Sequence, residues 1–214
     1  MKSYPEKKLI TTLYILIRIL SYSLCVLLLS ELIRYDAGSS LPGHLFSEDS
    51  LTEKAQSAML SAATCIFLWC AIKRPATSTL SITLFCFTAA SLIREQDIYL
   101  DEWLFHGSWK IGAFGLVGLA ILVVIRQFGP FLLALNQFSK NFVFGLMLSG
   151  IITTYLFSRM MGRKIFWLAV MGERYFRDVK NAAEESLELY GYLLLLISGV
   201  EYLLFFTRSN KRSD

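Results

Sequence analysis

The sequence predicts an all-α fold: a polytopic transmembrane bundle of six helices, with five spans as the alternative. The 214-residue chain is 55% hydrophobic with a mean hydropathy of +0.51. Only 18% of its residues are charged, below the roughly 25% of soluble domains. Its apolar residues form long blocks, and only helices satisfy their own backbone groups in hydrocarbon without closing a barrel. We therefore expect residues 1–214 to form a single transmembrane domain.

Six apolar blocks are long enough to cross a bilayer. The expected spans are at about 9–33, 55–72, 77–93, 111–125, 141–158 and 186–206. The basic pair Lys7-Lys8 precedes the first, and Lys73-Arg74-Pro75 ends the second. The third is rich in Ser, Thr and Ala. The fourth contains GAFGLVG, whose small residues would let another helix approach closely.

Two further apolar segments are too short to cross. Segment 128–140 contains Pro130 and two side-chain amides, so we expect it to lie along the inner surface. The run IFWLAVM at 165–171 predicts an interfacial or re-entrant segment near 163–183, continuing into an amphipathic stretch at 173–183. Neither segment adds a span.

Lysine and arginine positions predict the orientation. With both termini inside, ten lie inside and ten outside, and Arg18 lies within a span. Six of the outer ten fall between Arg159 and Lys180, the segment whose path is least defined. Without that segment the count is ten against four, which predicts both termini in the cytoplasm.

The positions of the cysteines and of the basic residues limit the class of protein and its expected partners. All four cysteines lie inside apolar runs, which predicts small reduced core residues; they are Cys25, Cys65, Cys70 and Cys86. No long basic tract indicates direct nucleic-acid binding. The expected partners are membrane lipids and either a second copy of the chain or another protein.

The densest ionisable chemistry lies in REQDIYLDEWLFHGSWK, residues 94–110, the expected outer loop after the third span. If the third helix continues outward, Arg94, Asp97 and Asp101 share one face at i, i+3 and i+7. Glu102, His106 and Lys110 repeat every four residues and would share another face.

The same outer end receives the start of the sixth span, with Glu185 and Glu188. Glu188 is expected at or below the interface, where it must be paired with a cation or protonated. The predicted binding site comprises the charges of both segments: Arg94, Glu95, Asp97, Asp101, His106, Lys110, Glu185 and Glu188.

Three roles compete for these charges: a structural lock of ion pairs, a polar site that senses or binds something, and a catalytic site. The catalytic hypothesis places His106, Glu188 and Asp97 around a divalent metal acting on a lipid ester or phosphodiester. Only one histidine lies here, without an H-x-x-x-H pattern, so we expect no cofactor, with a divalent metal as the alternative.

The preferred function is a non-enzymatic membrane subunit that oligomerises or docks a partner and transmits a signal through this charged site. The runner-up is a membrane-embedded, metal-dependent hydrolase or transferase acting on lipid at the periplasmic face. An ion-conducting oligomer is the third alternative.

Three short strings carry a resemblance: R-E-x-D at 94–97, H-G-x-W-K at 106–110, and E-E-x-L-E-L-x-G-Y at 184–192. They resemble those of small polytopic bacterial inner-membrane proteins that have no established activity. The resemblance implies a location in a bacterial inner membrane and adds nothing on mechanism.

Two ionisable residues lie inside spans, Arg18 in the first and Glu201 in the sixth. At 1.5 Å per residue, both are expected roughly 8 to 14 Å below the cytoplasmic surface. Each alone is costly there, so we predict an ion pair between the first and last helices. A snorkelling Arg18 is the alternative.

Overall fold

The computed structural model describes residues 4–39, 46, 50–73 and 78–210, and the side chains of 12–39, 46, 50–73 and 78–205. In this part of the chain 92% of residues are helical and there is no strand. Four residues used above lie outside the described backbone or side chains: Lys7, Lys8, Arg74 and Pro75.

Ten α-helices follow one another along the described residues. They are α1 (Tyr4–Ser39), α2 (Leu51–Lys73), α3 (Ser78–Glu95), α4 (Asp97–Trp103), α5 (Ser108–Arg126), α6 (Phe128–Ser139), α7 (Phe142–Ile152), α8 (Ser158–Met161), α9 (Lys164–Met171) and α10 (Arg177–Asn210). A π-helical segment, Thr153–Phe157, joins α7 to α8, and a 3₁₀ turn, Gly172–Arg174, follows α9.

Within the described residues, five stretches are long and apolar enough to cross a membrane. They are Thr12–Ser39, Leu51–Lys73, Ser108–Arg126, Phe142–Met161 and Arg177–Phe205. The third expected span is present as the helix α3, which carries six serines and threonines and a charged end and is not among these five. The protein is thus an all-helical membrane protein.

The last long helix begins earlier than expected. We expected 173–183 to continue the surface segment, but α10 starts at Arg177, so most of that stretch forms its first turns. The pair Lys180–Glu184, at i and i+4 and 3.0 Å apart, stabilises this extension. The short segment before it is the eight-residue helix α9.

The helix α10 is the centre of the bundle. In its most apolar stretch 61% of residues are buried, against 6% for the corresponding stretches of α1 and α5. Tyr202 marks its inner face, with its ring edge-on to Phe67 and Phe138 and its hydroxyl 2.8 Å from Ser81 Oγ. The apolar side chains exposed on α1 and α5 have the exposure expected of helices that face lipid.

The polar helix α3 lies inside the bundle because its hydroxyls bond to its own backbone. Thr83 Oγ1 donates to Thr79 O (2.9 Å) and Ser91 Oγ to Phe87 O (2.8 Å), one turn back in each case. Such bonds remove the cost of burying these groups next to apolar neighbours.

Both ends of α3 are held by side-chain bonds to neighbouring helices. Thr79 Oγ1 donates to Gln127 Oε1 (2.6 Å) at the end of α5, and Gln96 Nε2 donates to Ser57 Oγ (2.6 Å) near the start of α2. The helix therefore runs the length of its neighbours.

The helix α1 is joined to α2 through Asp36, which is 3% exposed. Its carboxylate accepts from Thr52 N (3.1 Å), Thr52 Oγ1 (2.6 Å) and Leu51 N (3.3 Å). It thereby caps the start of α2 from another helix, satisfying backbone donors that have no partner within α2.

Candidate functional site

Nine residues line a cleft of about 290 Å³ where α2 begins, α3 ends and α10 begins. They are Glu53, Arg94, Glu95, Asp97, Ile98, Trp109, Arg159, Glu185 and Glu188. We call it the charged cleft, and the end of the bundle that holds it the cleft end.

Glu188 is the central carboxylate of the charged cleft and is only 3% exposed. Its Oε1 lies 2.8 Å from Arg159 Nη2 and accepts from Ser158 Oγ at 3.3 Å. Its Oε2 lies 3.5 Å from Arg94 Nη2. One carboxylate on α10 thus connects guanidinium groups from α3 and α8, which offsets the cost of its burial.

Arg94 also belongs to a second group of contacts with Glu95 and Tyr192. Its Nη2 lies 2.5 Å from Glu95 Oε1, which accepts from the Tyr192 hydroxyl at 2.7 Å. Tyr192 is fully buried. The Arg94 guanidinium lies 5.7 Å from the centre of the Tyr155 ring, and the Tyr155 hydroxyl donates to Ser91 Oγ. These contacts hold Arg94 in one orientation.

Glu184 and Glu185 complete the polar layer along α10. Glu184 Oε1 lies 2.7 Å from Arg159 Nη1. Gln56 Nε2 donates to Glu185 Oε2 at 3.0 Å and to its carbonyl at 3.2 Å, while Gln56 Oε1 is buried and no described residue bonds to it. Each arginine of the cleft is therefore engaged by two carboxylates.

Local backbone geometry places these side chains. Glu184, Glu188 and Tyr192 follow one another at four-residue spacing and share a face of α10. On the facing helix, the π segment Thr153–Phe157 immediately precedes Ser158 and Arg159. A π turn inserts one residue into the helical repeat and so sets the direction in which these two side chains point.

Five of the eight predicted site residues line the cleft: Arg94, Glu95, Asp97, Glu185 and Glu188. The other three, Asp101, His106 and Lys110, do not. The expectation of two continuous helical faces through 94–110 was wrong. The backbone leaves helical geometry at Gln96 (φ −102°, ψ 20°), and α4 ends at Trp103.

The residues that lie outside the cleft make local contacts instead. The His106 side chain is 99% exposed and its Nδ1 lies 3.0 Å from Asp101 Oδ2. Asp101 Oδ1 accepts from Gly107 N at 2.8 Å, where a φ of 84° favours glycine. Lys110 Nζ lies 5.7 Å from the centre of the Trp109 ring. These contacts shape the loop between α4 and α5.

The catalytic set of His106, Glu188 and Asp97 is not assembled, because His106 lies outside the cleft that the two carboxylates line. Among the described residues, no three His, Cys, Asp or Glu side chains are grouped so that they could hold a metal ion. What the cleft offers chemically is a set of charged donors and acceptors in a half-open space.

A second polar group lies in the other half of the bundle. Arg18 Nη2 on α1 lies 2.8 Å from Glu201 Oε2 on α10, so the structure brings the predicted pair together. Glu201 is 2% exposed and also accepts from the Tyr22 hydroxyl. Glu188 and Glu201 are thirteen residues apart, about 20 Å along the axis of α10.

Several partners in these groups were missed from the sequence. Tyr192 had a usable signal, since it continues the four-residue spacing of Glu184 and Glu188. Ser158, Gln56 and Tyr22 had none, because their importance comes from the neighbours that other helices bring to them.

Comparison with known proteins does not assign this arrangement to a family. No family model, curated protein or solved structure matches the chain.

Proposed function

We propose that this protein is a non-enzymatic subunit of a bacterial inner membrane that senses a ligand at the charged cleft and passes the change to a partner. One observation carries the proposal: buried Glu188 joins guanidinium groups from α3 and α8 inside a cleft that remains open. A ligand that competes for those guanidinium groups would weaken contacts between three helices at once.

Sensing requires that the ligand bind one arrangement of the helices better than another. Arg159 is 46% exposed, so its ion pairs with Glu184 and Glu188 are accessible to an entering ligand. Arg94 is held more firmly by Glu95 and Tyr192. We therefore expect α8 to move relative to α10 while α3 keeps its place.

The helix α10 is the element that would transmit this movement. It is continuous from the cleft to Glu201, where Arg18 and Tyr22 attach α1. Because α1 buries little apolar surface elsewhere, its position depends on this attachment and on the Asp36 bonds to α2. A shift of α10 would change how α1 is held, about 20 Å from the cleft.

Binding at the cleft is tested by thermal unfolding of the purified protein in lipid nanodiscs with Mg²⁺, inorganic phosphate, ethanolamine and spermidine. We expect at least one probe to raise the unfolding midpoint, because binding only to the folded state stabilises it. Glu188→Gln should abolish that shift. Glu31→Gln, which neutralises a paired glutamate on the exposed face of α1, should retain it.

If no probe shifts the midpoint, or if the shift persists in Glu188→Gln, ligand sensing at the cleft is rejected. The ion pairs would then act as a structural lock. In that case Glu188→Gln should lower the midpoint without any ligand, since it leaves buried guanidinium groups incompletely paired.

The proposal includes six spans with both termini in the cytoplasm. Support comes from α3, which runs beside the candidate spans α2 and α5 and is bonded to them near both ends. A cytoplasm-only reporter fused after Asp214 should be active, and one fused after Ser108 should be silent. Five spans, or the reverse orientation, would change this pattern.

The partner in this proposal includes a second copy of the chain. On α5, Gly112 packs against Ile93, whereas a Cβ at Gly115 or Gly118 would meet nothing within 4 Å. This leaves a small-residue surface open to another helix. Gly118→Leu should lower the oligomeric mass measured in nanodiscs if copies meet there, and Gly129→Leu, also at an open position, is the control.

A further inference from the structure

Helix α9 is apolar and unburied. None of its eight residues is buried, and the exposed fractions of Ile165 and Val170 are 81% and 62%. Trp167 Nε1 donates to Met161 O at 2.6 Å, which holds α9 against the end of α8. We expect lipid or protein to contact such an ordered apolar helix, because exposed apolar surface of this kind is unfavourable in water.

Chain connections place α9 at the surface of the bilayer. It begins three residues after Met161, the last residue of one candidate span, and ends six residues before Arg177, the first of another. Three residues reach at most about 11 Å. The helix therefore lies at the cleft end, within the depth of the lipid headgroups and the first part of the acyl chains.

Exposed cations surround this helix. Arg163 precedes it, Lys164 is its first residue, and Arg174 and Arg177 follow it; all four are exposed, and we call them the basic collar. Within the described part of the chain none of the four forms an ion pair. Lys164 Nζ lies 6.0 Å from the centre of the Tyr175 ring. Glu173 is the one acidic residue among 163–177, which leaves a net charge of +3 (4 − 1).

The basic collar also accounts for the unusual positive charge of residues 159–180. Six basic residues lie between 159 and 180. Arg159 and Lys180 are neutralised by Glu184 and Glu188. The remaining four are the basic collar, so the excess charge of the segment is concentrated around the apolar helix.

We propose that α9 and the basic collar bind the headgroups of anionic phospholipids. The apolar side chains enter the acyl region, and the four cations meet the phosphates at the surface. Basic residues beside an apolar helix are the usual means by which proteins attract anionic lipid. A second copy of this chain is less suited to contact α9, because a symmetric contact would bring two basic collars of like charge together.

The test uses Trp167 as a reporter in the full-length protein. In a chain with Trp69, Trp103 and Trp109 replaced by phenylalanine, Trp167 is the sole tryptophan. Its fluorescence is measured in phosphatidylcholine bilayers that contain an equal fraction of either brominated phosphatidylglycerol or brominated phosphatidylcholine. Quenching requires contact between the bromine atoms and the indole. We expect the brominated phosphatidylglycerol to quench more strongly.

Two charge variants form a matched pair. Arg163→Gln with Lys164→Gln removes two cations of the basic collar, and Arg126→Gln with Lys140→Gln removes two exposed cations elsewhere, so both lower the net charge from +4 to +2. We expect the first pair to lower the preference for anionic lipid by about fivefold or more. The second pair should leave it unchanged, and high salt should weaken it.

Equal quenching by the two brominated lipids would overturn the proposal, and so would a preference that survives in Arg163→Gln with Lys164→Gln. Equal loss in both charge variants would reduce the effect to net charge and also refute it. Absence of quenching by either lipid would also overturn the proposal, because α9 would then be in contact with protein or water and not with lipid.

If the single-tryptophan chain does not fold, the unaltered chain gives a second measurement. Its unfolding midpoint should be higher in bilayers with phosphatidylglycerol than in pure phosphatidylcholine, and the difference should shrink only in the collar variant. No difference between the two bilayers would overturn the proposal.

Discussion

The ion pair between Arg18 and Glu201 should show a large coupling energy in a double-mutant cycle. Replacing either residue by leucine removes the 2.8 Å contact that joins α1 to α10. Replacing both removes two charges from the apolar part of the bundle together. The cycle therefore compares single variants, in which one charge has lost its partner, with a double variant in which both charges are absent.

The two single variants should differ in cost because the two side chains differ in exposure. The side chain of Glu201 is 3% exposed, so Arg18→Leu leaves a buried carboxylate whose one remaining partner among the described residues is the Tyr22 hydroxyl, at a cost of about 3 kcal/mol. Arg18 is 30% exposed and has a long stem, so in Glu201→Leu it reaches toward the headgroups at a cost of about 1 kcal/mol.

The double variant should cost much less than this sum. An ion pair replaced by apolar side chains of similar volume is often neutral in stability. We therefore expect the double variant to cost at most about 1 kcal/mol, which gives a coupling energy of about 2 to 3 kcal/mol. Tyr22→Phe combined with Arg18→Leu should be the least stable form, because it removes both donors to Glu201.

The measurement is the free energy of unfolding from denaturant titration in bicelles. A matched control is the cycle of Glu31 and Arg34, an exposed pair on α1 whose atoms lie 2.6 Å apart. Its coupling should stay below about 0.5 kcal/mol. If Arg18 and Glu201 are additive within about 0.5 kcal/mol, the attachment of α1 through this pair is refuted.

Other predictions concern packing and capping. Gly191→Ala should lower the free energy of unfolding by about 1 to 3 kcal/mol, because its Cβ would overlap Thr154 Oγ1 and lie 3.0 Å from the Gly150 carbonyl; adding Thr154→Ala should restore part of the loss, and no restoration would contradict the overlap. Thr154→Val should stabilise by about 1 kcal/mol, since it removes a buried hydroxyl for which the described part of the chain offers no hydrogen-bond partner; a loss of stability would argue for a partner in the folded protein. Asp36→Ala should cost about 1 to 2 kcal/mol through the lost cap of α2, measured by the same titration; an unchanged value would show that water replaces the cap.

The depth of a residue in the bilayer could be estimated from the sequence, and this was enough to predict the contact between Arg18 and Glu201. Residues at similar distances from the ends of neighbouring antiparallel helices lie at similar depth, whichever way each helix is rotated. Only the tertiary structure shows that α1 and α10 are neighbours at that depth and adds the Tyr22 hydroxyl to the pair.

Within the charged segment the sequence could predict the kind of residue at the site but not which of them meet. Helical periodicity placed Arg94 and Asp101 on one face and Glu102 and Lys110 on another. The helix is interrupted at Gln96, however, and ends again after Trp103. A single break redirects every later side chain, and whether a polar segment breaks depends on contacts it makes elsewhere, such as Gln96 with Ser57.

By itself the sequence determined that this is a helical membrane protein and where its long apolar helices lie, because hydropathy and helix length are local properties of the chain. The tertiary structure decided that the polar helix α3 belongs inside the bundle and that α10 begins at Arg177. It also decided that Glu188 binds Arg94 and Arg159. These features depend on distances between segments far apart in sequence, which no local pattern of residues contains.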